Sequence, residues 1–342
     1  MSVQRLSGIL LSIIAVLIGA RAAAFEPFQP LPDRPPIPRS NAQTAAKIAL
    51  GKQLFFDPRL SFTGQIACNG CHELDKGGDD GGRTTAGFAG RAGHRSAPSM
   101  WNVGFQTVYF WDGRGPSLEE AIKEHLLSSG GMAMPDEATL IARIGAYPGY
   151  RAEFDAEFHG DAPISLDSVA RALASYLRTL VTPNSPFDRY LKGDATALST
   201  SAERGFHQFV QTGCASCHFW VNMAGPVPGL AFEMGEGFYE LFPNFVGSPY
   251  DARYHLLDEM GRYAVTHNQA DRRLWRVASL RNVALTAPYF HNGSVATLAE
   301  AVRVMAKTQL NREPSPAEVD DIVSFLHSLT GEHPPQEVPE LP

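Results

Sequence analysis

The chain has 342 residues, of which 36 are acidic and 29 are basic, so its formal net charge is −7 at pH 7. This negative charge argues against nucleic-acid binding, which needs a basic surface, whereas an acidic surface can attract a basic redox partner. At roughly 150 residues per domain, the length predicts two domains.

Residues 1–24 have the pattern of a secretory signal peptide. Arg5 precedes a mostly apolar run, residues 9–20, which is too short to span a bilayer, and three alanines at positions 22–24 form a cleavage site. An uncleaved membrane anchor is the alternative, because Arg5 is the only charge ahead of the apolar run. Cleavage would remove Arg5 and Arg21 but no acidic residue, so the formal charge of −7 would become −9.

The periodicity of apolar residues predicts a mainly α fold. A helix is predicted over residues 42–55, and an apolar stripe over residues 166–180 predicts another. The last helix has the clearest start, because Ser315 can cap it and Glu318 completes a capping box. Two proline-rich segments are predicted to be extended arms on the surface, residues 27–38 and 334–342.

All four cysteines belong to two C-x-x-C-H motifs, Cys68-Asn69-Gly70-Cys71-His72 and Cys214-Ala215-Ser216-Cys217-His218. This motif is typical of covalent c-type haem attachment, in which the thiols bind the porphyrin and the histidine binds the iron. A zinc site or a redox dithiol is the alternative. A zinc ribbon would bring its second pair within about 15–20 residues, but Cys71 and Cys214 lie 143 positions apart. The sequence therefore predicts two covalent haem c groups and, with the signal peptide, a periplasmic location.

Four segments of the first half recur in the second half in the same order. The pairs are residues 97–103 with 277–283, 109–113 with 289–293, 117–121 with 297–301, and 175–180 with 324–329. The repeat predicts two cytochrome c-like haem domains related by internal duplication. We place them at residues 25–190 and 191–342, the second ending in the C-terminal arm.

Residues 50–61, 110–114 and 280–293, with the first C-x-x-C-H motif, resemble the bacterial di-haem cytochrome c peroxidases and the related MauG-type enzymes. The resemblance extends over residues 40–335. It implies a periplasmic enzyme whose N-terminal haem reduces hydrogen peroxide to water. Its C-terminal haem would take electrons from a small cytochrome c or a cupredoxin. We retain a homodimer as one option for the oligomeric state.

In the second half the resemblance favours the peroxidases. Met305 lies fourteen residues after His291, where the peroxidases have the methionine that completes the electron-accepting haem and MauG-type enzymes have a tyrosine. A thioether ligand favours ferrous iron, which suits that role. Trp111 corresponds to the family's tryptophan between the haems. Three residues correspond to the family's interdomain calcium site, although a serine replaces an asparagine in the first: Ser96, Thr286 and Pro288.

The first half departs from the family in its pocket. When the two sequences are placed in register, Phe88 stands where the family has the loop histidine that closes the resting site. Ala121 stands where it has a pocket glutamine, and Gly131 where it has a pocket glutamate. Peroxide cleavage needs a group that moves a proton between the two oxygens. The available replacements are His94, Glu120, Glu124 and His125.

His125 lies fourteen residues after Trp111, just as Met305 lies fourteen residues after His291. It therefore occupies the position of an axial ligand in the repeat. We predict that it either binds the first iron or acts as acid and base on peroxide, since its unperturbed pKa is about 6.5. A solvated helix histidine is the remaining interpretation. The predicted catalytic residues are His125, Glu124 and Trp111.

Three functions fit these patterns. A di-haem peroxidase with a rebuilt pocket is favoured by Met305 and by the match in the second half. A MauG-like oxidase that modifies another protein is favoured by the missing histidine at position 88 and opposed by Met305. The third is a di-haem electron-transfer protein without chemistry of its own.

Overall fold

The computed structural model describes residues 28–85, 95–160, 162–225 and 238–342. The predicted signal peptide, Phe88 and His94 lie outside these ranges. The described chain is mainly helical, as predicted, with one two-stranded antiparallel sheet. None of its helices is long and apolar enough to cross a membrane. The elements are α1 (Ala45–Phe56), α2 (Leu118–Leu127), α3 (Glu137–Gly145), α4 (Pro148–Glu157), α5 (Leu166–Leu177), α6 (Pro186–Leu191), α7 (Thr200–Gln211), β1 (Tyr239–Leu241), α8 (Pro249–Arg253), α9 (Tyr263–Thr266), β2 (Leu274–Arg276), α10 (Leu298–Leu310) and α11 (Pro316–His327).

Side-chain caps determine where the predicted helices begin. α1 begins three residues later than predicted, because Thr44 Oγ1 accepts a hydrogen bond from Lys47 N at 3.0 Å. α11 has the predicted capping box. Ser315 Oγ accepts from Glu318 N at 3.3 Å, and Ser315 N donates to the Glu318 carboxylate at 2.8 Å. Each such cap stabilises its helix by about 1 kcal/mol.

A pair of helices crosses at a glycine in each half, α1 with α5 and α7 with α11. A Cβ at Gly51 of α1 would overlap the carbonyl of Ala172, and a Cβ at Gly205 of α7 would overlap the carbonyl of Asp321. Glycine is required at both positions because the two backbones are in contact. The crossings hold together the helices on either side of each C-x-x-C-H motif.

The repeated segments adopt matching turns in the two halves. An isolated antiparallel bridge closes each turn, between residues 109 and 115 and between residues 289 and 295. Left-handed residues occur at positions 180 residues apart, namely Asn102 (φ 61°) and Asn282 (φ 60°), Phe110 (φ 63°) and Phe290 (φ 72°), and Gly113 (φ 67°) and Gly293 (φ 56°). The two segments therefore follow the same path beside their C-x-x-C-H motifs.

Each half has a hydrophobic core of its own. The first is built from α1 to α5 between residues 50 and 180, with Tyr150 and Phe154 fully buried. The second is built around α7 and α11, and it includes Phe187 of α6 and Phe325. A further cluster forms where β1 and β2 meet α10, and Met305 packs against it. Each predicted haem motif thus lies beside a separate core.

The two proline-rich arms are extended, but the N-terminal arm is not confined to the surface as predicted. Phe28 is 7% exposed and Leu31 only 1%. Phe28 packs edge-on against the ring of Phe187, and Leu31 N donates to Asp188 Oδ1 at 2.9 Å. The C-terminal arm lies against the first half, where Tyr176 donates to a glutamine of the arm at 3.0 Å. The N-terminal arm therefore packs on α6, whose Phe187 belongs to the second core, and the C-terminal arm packs on the first half.

Candidate functional site

The first C-x-x-C-H motif forms a 3-10 turn, Cys68–Gly70, in the wall of a cavity of about 1100 Å³. Cys68, Cys71 and His72 all line this cavity. Both cysteines are free. Burial raises the pKa of Cys68 to about 12 and also raises the pKa of Cys71. Two neutral thiols and an imidazole thus share one space, as the motif requires for covalent haem attachment.

His72 is oriented by a backbone carbonyl. In the tautomer that carries its proton on Nδ1, the ring donates to Gly78 O at 3.3 Å, and the lone pair is on Nε2. Burial lowers the pKa of His72 to about 4, so the ring is neutral near pH 7. Histidines that bind a metal are typically neutral and are oriented by such a hydrogen bond from the other nitrogen.

The second motif repeats this arrangement. Its 3-10 turn, Cys214–Ser216, borders a cavity of about 510 Å³ that is also lined by Cys217 and His218. His218 Nδ1 donates to Met223 O at 3.0 Å. Burial lowers the pKa of His218 and raises the pKa of both thiols.

Met305 of α10 lines the same cavity as His218, as the sequence predicts. Its side chain is half-buried and packs against the cluster that contains Tyr289 and Val304. Buried methionines often serve packing alone. Here the thioether also borders the space beside the second motif, which makes Met305 available as a ligand.

His125 of α2 lines the first cavity together with His72. The centroids of the two rings are 6.5 Å apart, with their planes inclined by 56°. No residue in the described ranges forms a hydrogen bond with the His125 ring. Burial, together with the nearby His72 and Arg114, lowers the pKa of His125 to about 4. His125 is therefore a neutral imidazole inside the cavity.

Glu124 lines the same cavity but is held in an ion pair. Its Oε1 lies 2.5 Å from Arg114 Nε, and its side chain is 42% exposed. Arg114 also pairs with Asp112 at 2.9 Å, and its guanidinium lies 3.7 Å from the Phe110 ring centroid. Glu124 is thus fixed where the cavity meets solvent.

Glu120, another predicted replacement, does not line the first cavity. Its exposed carboxylate pairs instead with Lys123 Nζ at 2.5 Å. Ala121 and Gly131 both line the cavity, at the positions where the family has polar side chains. A Cβ at Gly131 would overlap the His125 carbonyl oxygen and lie 2.8 Å from His125 Nδ1, so that position has no room for a side chain.

Trp111 lies in the wall between the cavities and lines both of them. Its Nε1 donates to Ser96 O at 2.9 Å. Its carbonyl accepts a hydrogen bond from Arg276 N at 3.0 Å. These bonds hold the indole at the place that the resemblance implies, between the two haem motifs.

The three residues predicted for calcium all line the second cavity. Ser96 O accepts the Trp111 bond, Thr286 Oγ1 donates to Val283 O at 3.3 Å, and Pro288 follows in the same segment. Within the described ranges, no group of three His, Cys, Asp or Glu side chains could hold a metal ion. Calcium would therefore bind here through carbonyl and hydroxyl oxygens, and it stays a prediction.

Sequence reasoning missed Trp275 and used His291 only to locate Met305. The two rings stack with centroids 3.9 Å apart, and both line the second cavity. Trp275 Nε1 and His291 Nε2 are buried without a hydrogen-bond partner among the described residues, and Glu259 Oε1 lies 3.7 Å from His291 Nε2. Burial lowers the pKa of His291 to about 3. Buried polar groups are rarely left unpaired, and an acceptor oxygen of a bound cofactor would satisfy Trp275 Nε1.

Comparison with known proteins assigns the chain to the same family as its motifs do. A sequence model of the di-haem cytochrome c peroxidase family matches residues 45–196. Cytochrome c551 peroxidase of Pseudomonas aeruginosa is 39% identical over 317 residues, which cover 92% of this chain and 87% of that protein. The chain belongs to the di-haem cytochrome c peroxidase family. Another member, cytochrome c551 peroxidase of Nitrosomonas europaea, is 38% identical over 97% of this chain and 94% of that protein.

Both branches of this peroxidase family resemble the chain. Methylamine utilization protein MauG of Methylorubrum extorquens is 32% identical over 91% of this chain and 86% of that protein. Among solved structures, a MauG-like protein associated with microbial copper homeostasis has a TM-score of 0.75 at 26% identity, covering 88% of this chain and 94% of that one. The likeness confirms the fold expected of a di-haem peroxidase.

The residues present fit the two haems that this peroxidase family implies. Each cavity combines two free thiols with an imidazole oriented through Nδ1. The second cavity also holds the unpaired Nε1 of Trp275, which an acceptor oxygen of a haem would satisfy. The cavities differ in the further side chain that could bind an iron. Met305 lines the second cavity, and His125 lines the first.

Proposed function

We propose that the mature protein is a periplasmic di-haem c-type peroxidase that reduces hydrogen peroxide to water with electrons from a small cytochrome c or a cupredoxin. The observation that carries this proposal is the difference between two otherwise similar cavities that share Trp111. Met305 suits a site that only passes electrons, because a thioether favours ferrous iron. His125 suits a site where protons are moved. The names of the relatives support the same activity.

We assign covalent haem attachment to both motifs: the four cysteines would hold the two haems, and His72, His218 and Met305 would bind the irons. When bound, the haem irons supply the redox chemistry at both sites. The carbonyls of Gly78 and Met223 keep each imidazole oriented and increase its basicity.

We assign electron entry to the second cavity. We assign electron transfer to the first cavity to the wall that contains Trp111. The hydrogen bond to Ser96 O and the bond from Arg276 N hold the indole in one orientation. The chain is acidic, with a formal charge of −7, and long-range attraction speeds the encounter with a basic donor.

Reduction of one hydrogen peroxide consumes two electrons and two protons and yields two water molecules. We assign proton handling to His125 and Glu124. Glu124 can exchange protons with solvent, because Arg114 holds it at the exposed edge of the cavity. His125 lies deeper in the cavity, so it is the group that can reach bound peroxide.

We further propose that the two halves, residues 25–190 and 191–342, descend from one duplicated cytochrome c-like domain. The matching left-handed residues and the two glycine crossings support this origin. Cleavage of residues 1–24, a calcium ion at Ser96, Thr286 and Pro288, and a homodimer complete the proposal. Intact mass, metal analysis and light scattering test these three features separately.

A MauG-like oxidase is the second candidate, favoured by the likeness to MauG and to the MauG-like structure. Such an enzyme would use peroxide to oxidise another protein instead of a soluble electron donor. Met305 opposes it, because the resemblance places a tyrosine there in MauG-type enzymes. The two candidates therefore differ in the reductant: a soluble electron donor for the peroxidase, and a protein substrate for the oxidase.

The proposal is tested with protein purified from the periplasm of a host that assembles c-type cytochromes. Mass spectrometry should give the chain from residue 25 plus two haem masses; one haem or bound zinc would refute it. Hydrogen peroxide should then drive oxidation of a reduced small cytochrome c or cupredoxin. Two haems without oxidation of either donor would favour the oxidase if a protein substrate is modified, and simple electron transfer if none is.

A further inference from the structure

His72 and His125 both line the space beside the first C-x-x-C-H motif, with ring centroids 6.5 Å apart. We infer that His125 is the second axial ligand of the first haem iron and that it closes this site in the fully oxidised enzyme. The inference rests on the proposed function, because it requires a haem on Cys68 and Cys71. The two roles predicted for His125 then follow one another in time. The ring binds iron in the oxidised enzyme and carries protons after it has left the iron.

The separation of the two rings distinguishes a ligand from a proton carrier. Two imidazoles on opposite faces of one metal, each about 2.0–2.1 Å from it, have centroids about 6.3 Å apart. A peroxide between the metal and a hydrogen-bonded histidine would increase this distance by about 2–3 Å. The observed separation of 6.5 Å matches direct ligation.

The backbone beside His125 leaves space for its ring. Met132 N donates to His125 O at 3.0 Å, which brings residue 131 alongside the imidazole. A Cβ at Gly131 would overlap the His125 carbonyl oxygen and would also lie 2.8 Å from His125 Nδ1 and 2.9 Å from Cε1. Glycine at 131 therefore lets the backbone pass close to residue 125 and keeps the space of the imidazole clear.

The ring is also free to bind a metal, because no residue in the described ranges bonds to either of its nitrogens. In a neutral imidazole, one nitrogen can donate a hydrogen bond and the other can accept one or bind a metal. In His72 and His218 the Nδ1 proton is bonded to a carbonyl. An iron bound to His125 would satisfy one of its nitrogens.

α2 presents His125 from a fixed backbone. Ser117 Oγ caps the helix by accepting from Glu120 N at 3.1 Å. Glu119 accepts two hydrogen bonds from Arg178, at 2.7 and 2.9 Å, and the Arg178 side chain is 2% exposed. A bidentate pair of this kind is both strong and geometrically specific. Release of the iron therefore requires a movement of the His125 side chain itself.

Electron paramagnetic resonance of the oxidised holoenzyme tests the inference. We expect low-spin ferric signals from both haems in the wild-type protein. His125→Ala should convert one signal to high spin, and added imidazole should restore it to low spin. The matched control is His159→Ala, which removes an exposed histidine of the same half and should leave both signals unchanged.

Gly131→Ala provides an independent test, because it retains His125 but places a methyl group against both its carbonyl and its ring. We expect a high-spin fraction at the first haem and an unchanged second haem. A high-spin first haem in the wild-type protein, or a His125→Ala spectrum identical to wild type, would overturn the inference. Haem masses measured on the same samples separate the two proposals. Missing haem refutes the proposed function, whereas two haems with an unaltered His125→Ala spectrum refute only the ligation by His125.

Discussion

Arg281 and Asp188 form a buried ion pair, with Nη1 2.7 Å from Oδ1 and side chains that are 1% and 0% exposed. Arg281 stands at the repeat position that Trp101 occupies in the first half. Its guanidinium also donates to Val221 O at 2.8 Å and to Gln29 O at 3.3 Å. One side chain thus joins α6, the segment after the second haem motif and the N-terminal arm.

Arg281→Ala is expected to lower the free energy of unfolding by about 3–5 kcal/mol, because it leaves the Asp188 carboxylate buried and unpaired. Urea unfolding of the holoprotein measures the loss. The control is Arg204→Ala, which breaks an ion pair with Asp321 whose arginine is 56% exposed, and it should cost much less. Equal losses in the two variants would contradict the account.

Gly51→Ala should destabilise the protein by about 1–3 kcal/mol or more, because the new methyl group would overlap the Ala172 carbonyl. Gly145→Ala is the matched control at a helix position where the nearest atom, Ile164 Cδ1, is 3.7 Å away. Alanine is favoured over glycine in helices by about 1 kcal/mol, so this control should be neutral or stabilising. Thermal unfolding of the three proteins compares them, and wild-type stability in Gly51→Ala would exclude a close crossing.

Met305→His should shift the reduction potential of the second haem downward by on the order of 100 mV or more, because it replaces a thioether with an imidazole. A spectroscopic redox titration measures the shift. Met260→His alters an exposed methionine and should leave the potential unchanged. If both titrations match wild type, Met305 is a packing residue only.

Acid should destabilise the folded protein partly through His291. Its pKa is lowered to about 3 by burial, whereas an unfolded histidine has a pKa of about 6.5. Between these values the unfolded state binds a proton that the folded state does not, so the free energy of unfolding falls as the pH falls.

From pH 7 to pH 5 this effect amounts to about 2 kcal/mol. His291→Phe should therefore lose less stability than wild type over the same interval, as measured by urea unfolding at the two pH values. His159→Phe, at an exposed position, should keep the wild-type slope. A His291→Phe protein with an unaltered slope would show that His291 does not carry the effect.

The haem motifs and the helix ends could be predicted because their signals are local. Cys68, Cys71 and His72 lie within five residues, and Ser315 and Glu318 cap α11 across a single turn. The placement of His125 in the first cavity was also predictable, since the internal repeat pairs it with Met305. Each of these predictions used residues whose spacing along the chain determines their spacing in the fold.

Other features depend on contacts between distant segments and had no such signal. Trp275 meets His291 through β2, which follows a long insertion without periodic pattern. Phe28 and Leu31 lie in a proline-rich arm whose composition suggests exposure, yet they are buried by partners about 150 residues away. The need for glycine at 131 becomes visible only once the fold brings that residue against the carbonyl and ring of His125.

The most direct test of the central claim is the stoichiometry of peroxide reduction. Oxidised holoenzyme is mixed with an excess of reduced small cytochrome c, a known amount of hydrogen peroxide is added, and oxidation of the cytochrome is followed by absorbance. The account predicts two cytochromes oxidised for each hydrogen peroxide, with turnover that depends on enzyme concentration. No enzyme-dependent oxidation by a protein that carries both haems, with this donor or with a reduced cupredoxin, would contradict it.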